Sequence, residues 1–337
     1  MSAEHEKLTL PMSPVTADIQ VEANDNDPEP LTSVFRELLG NDSSNMDYEL
    51  AGRIIVNFAQ KSDPTLDLSR LLRWEIAEDI YEAAERLSAE LGQSITLTKT
   101  ENSVSGGRII HTADGAIILV PASTLRNLVD GPDGMAQFAL NLLHHELCHV
   151  HDEAVRKSMP GWKDSMVGLP LTNRMIDIMI LLWDEYSANR RSISTTQPVL
   201  EKMQFELVVA EYPRVNAEIS QSIESWREHG DMRRLFSELS SSFGHMFKLL
   251  GYALGSSAGR GVSLEQLDPV SYRFLRGTWL ASLLEDESVE QLNTLYESFG
   301  NWSGIEVFDD FAETCRLAYW DAGIQIFASQ EGLTANI

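Results

Sequence analysis

Apolar residues begin to recur at helical spacing near Leu31 and continue, with few breaks, through the rest of the chain. A short helix is expected before the turn at Asn41-Asp-Ser-Ser, and a second carries Leu50, Ile54, Ile55 and Phe58 on one side. Leu72, Ile76, Ile80, Ala83, Leu87 and Leu91 keep the same period, so residues 71–91 read as one helix that Gly92 ends. Two stretches depart from it. Ser94 to Lys99 alternates apolar and polar residues, as a half-buried strand does. Arg108-Ile-Ile-His-Thr and Ala116-Ile-Ile-Leu-Val120 flank Asp114-Gly115, a pair that favours tight turns with positive φ, and so read as a β-hairpin over 108–120.

Past the Asp130-Gly-Pro-Asp-Gly turn, Met135 through Val155 contains no Pro or Gly. Phe138, Leu140, Leu142, Leu143, Leu147 and Val150 give that helix a broad apolar surface. Beyond Pro160-Gly161 and Pro170, Thr172 can cap a helix from Asn173 to about Ser192 that is apolar on most sides, the mark of a helix buried on several faces. Helical stretches follow over 200–228, interrupted near Pro213, and over 231–254, before a Gly/Ser-rich break at 255–261. Residues 264–330 carry three or four more helices. Residues 1–30, with four prolines and an acidic run from Glu22, have no period and read as a disordered tail. The organisation expected is that tail, then a single domain over 31–337, with an α/β part to residue 130 and a helical part from 131. The fold class is α+β, with a small sheet or hairpin followed by a predominantly helical region.

Composition narrows the function classes. The 337 residues are 43% hydrophobic and 23% charged, as in a soluble globular protein. The 26 basic residues against 51 acidic ones give a net charge of −25, which repels phosphate backbones and anionic membranes. No nucleic acid and no membrane is therefore expected as a partner. Cys148 and Cys315 are far apart, as free thiols in a reducing compartment would be. The first residues lack the apolar core of a signal peptide, and runs such as Ile178 to Trp183 are too short to span a bilayer. The expected location is the cytoplasm.

Candidate chemistry is concentrated in Asn141-Leu-Leu-His-His-Glu-Leu-Cys-His-Val-His-Asp-Glu153, which holds one H-E-x-x-H match: His145, Glu146 and His149. Residues four apart on a helix are about 40° apart around its axis, so both imidazoles can address one tetrahedral zinc ion. Glu146 is about 100° from His145, where it can reach a water on that ion as general base. An ordinary buried helix could carry the same letters, but its buried polar groups would each need partners. A catalytic zinc takes three protein ligands and leaves one position open. Asp152 and Glu153 are near but would have to bend back along the helix, and His151 faces away from His149. His245 is remote and without helper residues. Glu185 is favoured, at the polar end of the most apolar helix, with small Ala188 beside it and Asn189 one turn on to hydrogen-bond a ligand. Its alternatives are an exposed Glu at a helix end, or one paired with Arg190.

His-Glu-Leu-Cys-His followed by Glu-Tyr-Ser-Ala-Asn resembles the zinc peptidases of the gluzincin type, including prenyl-protein endopeptidases and the repressor-cleaving stress-response peptidases of bacteria. The resemblance implies a zincin-like fold, His145, His149 and Glu185 as zinc ligands, and Glu146 as catalytic base. It covers these two helices and the preceding hairpin, so it is specific for chemistry and weak for substrate. Many members have Gly where Cys148 stands; Cys is also small, and packing suits it better than ligation. The membrane-embedded branch is set aside by the lack of spanning helices.

The resulting expectation is a zinc-dependent metallohydrolase, a soluble endopeptidase acting on a protein or peptide. The hairpin edge offers a place to add an extended substrate as a strand; the alternative is two strands that simply cover the core. Tyr186, His245, Tyr252 and Tyr272 are candidates for stabilising the oxyanion. The competing reading is an acidic helical interaction protein with a structural or vestigial zinc site. Substrate specificity, the regulatory trigger and the oligomeric state are not legible.

Overall fold

The computed structural model describes residues 8–9, 31–40, 42–95, 97, 106–159, 171–329 and 332–336. The chain divides into two compact units, residues 1–154 with 194–197 and residues 155–193 with 198–337. The division falls inside the continuous helix of residues 133–158.

The first unit holds β1 (Leu8–Thr9), α1 (Leu31–Leu39), α2 (Tyr48–Ser62), β2 (Leu71–Ala77), α3 (Ile80–Leu91), β3 (Arg108–His111), β4 (Ala116–Pro121), α4 (Ala122–Asn127) and most of α5 (Asp133–Ser158). The sheet order is β1-β2-β4-β3. β2 and β4 run parallel, and β3 returns antiparallel to β4 with Ile109 opposite Ile118. β4 is buried from Ala116 to Val120, as a strand between two others in a covered sheet is. Of residues 1–30 only Leu8 and Thr9 are described, paired with Trp74 and Arg73 of β2; the rest of the expected tail lies outside the described residues.

The helix expected over 71–91 is two elements. Residues 71–77 are the strand β2, and α3 starts only at Ile80. Asp79 makes the division, its carboxylate accepting from the N–H groups of Tyr81 and Glu82 as a helix N-cap. Gly92 does end α3, in the left-handed conformation at φ 64°. Of the strand expected over Ser94 to Lys99, residues 94, 95 and 97 are not extended in any sheet and the others lie outside the described residues. The hairpin over 108–120 forms, but Gly115 does not have positive φ. Its missing side chain serves a close approach instead, because a Cβ there would meet the Arg70 carbonyl oxygen at 2.3 Å.

The second unit holds the end of α5, then α6 (Leu171–Arg191), α7 (Pro198–His229), α8 (Met232–Arg260), α9 (Leu264–Leu267), α10 (Pro269–Leu275), α11 (Asp286–Glu297), α12 (Asp309–Asp321), β5 (Gln325–Ser329) and β6 (Gly332–Asn336). α6 begins two residues before the expected Asn173, so Thr172 is inside it and is not its cap. Pro213 does not interrupt α7, and the Gly/Ser stretch at 255–259 does not end α8. Gly251, Gly255 and Gly259 are four apart and face the carbonyl oxygens of Leu182, Tyr186 and Arg190 on α6, also four apart. Backbone contact along that stripe offsets the poor helix propensity of glycine. β5 and β6 form an antiparallel hairpin where helix was expected to the end. The core of this unit gathers Trp183 against Tyr186, Tyr296, Phe299, Trp302 and Phe308, with the Trp302 ring centroid 5.2 Å away. The described fold is thus helix-rich α+β. No helix among the described residues is long and apolar enough to cross a membrane.

Candidate metal centre

Every residue of α5 from Leu143 to Ala154 is buried, including His144, His145, Glu146, His149, His151, Asp152 and Glu153. Helices rarely bury so many titratable groups, and each needs a partner. The Thr195 hydroxyl meets His144 Nδ1 at 3.1 Å, and the Asn141 side-chain amide donates to the Thr196 hydroxyl at 2.8 Å. His151 accepts the backbone N–H of Asp67 at 2.8 Å. Glu153 takes His111 Nδ1 at 2.6 Å and Arg70 at 3.5 Å, which fastens the hairpin to the helix and gives His111 a structural role.

The two motif imidazoles face each other. Their Nε2 atoms are 3.0 Å apart, with the rings edge to face at 87°. Glu146 lies under the glycine pair that precedes β3: a Cβ at Gly107 would be 3.2 Å from its Oε1, and one at Gly106 would be 3.0 Å from Leu142. Leu142 and Glu146 are one turn apart, so glycines at 106 and 107 let the backbone run close over that face of α5. The sequence reading passed over both.

Glu185 is held from within the second unit. Trp183 anchors the end of α6 in the aromatic cluster, and Arg156 on the last turn of α5 forms an ion pair with Asp184. Glu185 is buried and pairs with the Lys248 ammonium at 3.0 Å, not with Arg190. Arg190 reaches the Tyr186 hydroxyl and the Asn293 side-chain oxygen, each at 2.7 Å, and covers the Tyr296 ring at 4.1 Å. Asn189 donates to the backbone carbonyl of Glu185 at 3.0 Å and accepts from Gln204, so it braces the helix at Glu185 without touching the carboxylate.

A ligand atom from each of His145, His149 and Glu185 lies within 4.8 Å of the other two, and all three residues are buried. The other third-ligand candidates, Asp152, Glu153, His151 and His245, are outside this group; His245 is paired with Glu211 at 3.1 Å. The donor set, two imidazole nitrogens and a carboxylate oxygen, fits a zinc ion with one position left open. Tetrahedral ligands on zinc stand roughly 3.3 Å apart, close to the spacing of the two Nε2 atoms. Asp152 adds an independent sign. It is fully buried, and neither carboxylate oxygen has a hydrogen-bond partner among the described residues. It shares a helix face with His145 and His149, where a cation held by them would offset its charge.

Among the expected oxyanion donors, the Tyr186 hydroxyl donates to Asn293 at 2.9 Å and its pKa is pushed up to about 12, chiefly by burial. Lys248 was missed. Its signal was a single cation between Met246-Phe247 and Leu249-Leu250, where a charge needs a specific partner. No family model, curated protein or solved structure matches the chain.

Proposed function

We propose that the chain is a zinc-dependent endopeptidase of zincin-like, gluzincin type, with His145, His149 and Glu185 as ligands and Glu146 as general base. One observation carries the reading: three buried ligand atoms of suitable chemistry within 4.8 Å, on helices where the motif also supplies a neighbouring carboxylate. The ion, when bound, polarises a scissile carbonyl and acidifies water at its open position. Glu146 takes the proton of the attacking water on its carboxylate and passes it to the leaving nitrogen. Burial of that carboxylate beside Gly107 keeps bulk water from competing for the proton.

A protein or peptide substrate adds as a strand to β3, the outer strand of the sheet beside β4. The glycine pair at 106 and 107 brings that edge to Glu146, so the peptide bond to be cut arrives in register with the base. The location proposed is the cytoplasm, whose reducing conditions suit two cysteines as far apart in the sequence as Cys148 and Cys315.

Lys248 gives Glu185 a charge partner that needs no ion, which favours the second reading, an interaction protein with a vestigial site. Metal content decides between them. Untagged wild-type protein is expected to hold about one zinc per chain, and Glu185→Ala to lose most of it. Wild type that takes up no zinc when it is supplied would sink the hydrolase reading.

A further inference from the structure

Lys248 is a cation in contact with a carboxylate that the zinc reading assigns to the metal. A fixed positive charge beside a metal ligand opposes the ion: it repels the metal and competes with it for the carboxylate. Its charge helps only when an anion is also present. Peptide hydrolysis creates one, the tetrahedral oxyanion, and it forms next to the metal ligands.

We propose that Lys248 is the oxyanion-binding residue of this site, its ammonium donating to the anionic oxygen that develops on the substrate carbonyl. This rests on the zinc endopeptidase reading above. Three further observations support it. The Lys248 side chain is 32% exposed while Glu185 is buried, so the pair joins a solvent-facing side chain to a buried carboxylate. α8 is held rigidly at this level, because a Cβ at Gly251, one turn past Lys248, would lie 2.5 Å from the Leu182 carbonyl and 3.0 Å from Glu185 Cβ. Two of the four expected donors are otherwise engaged, Tyr186 with Asn293 and Arg190 and His245 with Glu211, while the Tyr252 ring sits beneath the Lys248 ammonium at 5.8 Å. A cation that leans on an aromatic face and a carboxylate is pre-positioned before substrate arrives.

No bond is made or broken at Lys248. The carbonyl oxygen gains charge as water adds, the ammonium donates a hydrogen bond to it, and the charge returns to the carbonyl when the leaving nitrogen departs with the proton carried by Glu146.

The test uses the full chain, wild type and the variants Lys248→Gln and Lys248→Arg, with folding checked by thermal unfolding. Zinc affinity is measured by competition with a chromophoric chelator. The zinc-loaded proteins are then titrated with an N-phosphoryl dipeptide amide, a tetrahedral anion, and with the same dipeptide bearing a neutral N-acyl group. Lys248→Gln is expected to bind zinc about tenfold tighter. It should bind the phosphoryl compound roughly a hundredfold more weakly, with the neutral compound unchanged. Lys248→Arg should keep most of the phosphoryl preference. Equal zinc affinity and equal phosphoryl preference in wild type and Lys248→Gln would overturn the proposal and leave the zinc reading standing. A wild-type protein that binds zinc but does not prefer the phosphoryl compound would overturn it as well. Absence of zinc from the wild type would remove the underlying reading, and this proposal with it.

Discussion

Gly255 on α8 stands against the carbonyl oxygen of Tyr186 on α6, so close that a Cβ at 255 would lie 2.3 Å from that oxygen. No real Cβ tolerates this, and a backbone carbonyl cannot swing aside as a side chain can. The two helices therefore approach at a distance that only glycine permits, and Glu185 sits on the helix so held.

Gly255→Ala is expected to destabilise the protein by about 1–3 kcal/mol, because α6 and α8 must separate. Gly134→Ala is its control. That glycine is in the first turn of α5 with nothing within 4 Å of a built Cβ, and alanine there should stabilise by about 0.4–1 kcal/mol. Thermal unfolding of both variants tests the pair, and equal shifts would contradict the packing argument.

Glu146→Gln keeps the shape of the side chain and removes its basicity. Zinc content should match wild type, while cleavage of unfolded casein should fall about 10²–10⁴-fold. Loss of zinc along with activity would instead give Glu146 a part in holding the metal.

Gly107→Ala probes the contact over the base. The added methyl would be 3.2 Å from Glu146 Oε1 and 3.4 Å from Val120 Cγ1, and the flexible carboxylate end is the group that yields. Little change in unfolding temperature is expected, zinc should be retained, and turnover should fall on the order of 10–10²-fold as the base is displaced. Unchanged turnover on a peptide that the wild type cleaves would separate Gly107 from the chemistry.

Tyr186→Phe separates support from catalysis. Arg190 still reaches Asn293 without the hydroxyl, so stability should drop by only about 1 kcal/mol, with zinc content and turnover unchanged. A pH signature accompanies it. Burial raises the Tyr186 pKa to about 12, whereas an unfolded tyrosine titrates near 10. This group's contribution is complete below pH 10 and is lost as pH rises from about 10 to 12, since the unfolded chain ionises first. The unfolding midpoint of the wild type should fall more between pH 9 and 11 than that of the variant.

The helix α5 was legible because its signals agree: no Pro or Gly through Val155, a sustained apolar surface, and one motif at helical spacing. Glu185 was legible from chemistry, as a carboxylate at the polar end of an apolar helix, and the structure brings it to the two histidines. The strand β2 was not, because Leu72 and Ile76 fall by chance on the period of α3. Asp79 followed by Glu82 carried the correct boundary. The glycines of α8 read as a break because propensity acts locally, while what they accommodate is the backbone of a helix some seventy residues earlier. Their spacing of four was visible; its partner was not. Lys248 had the same defect as a signal, since one cation in an apolar run announces a partner without naming it.

β3, the outer strand of its sheet among the described residues, has only four residues, and a strand presents outward hydrogen-bonding groups from every second one. A guest chain laid along it can thus be gripped through roughly two of its own residues. So short a handhold cannot measure out a long sequence. It favours any segment that is already loose and extended, so on the peptidase reading the timing of a substrate's unfolding would govern its cutting more than its spelling.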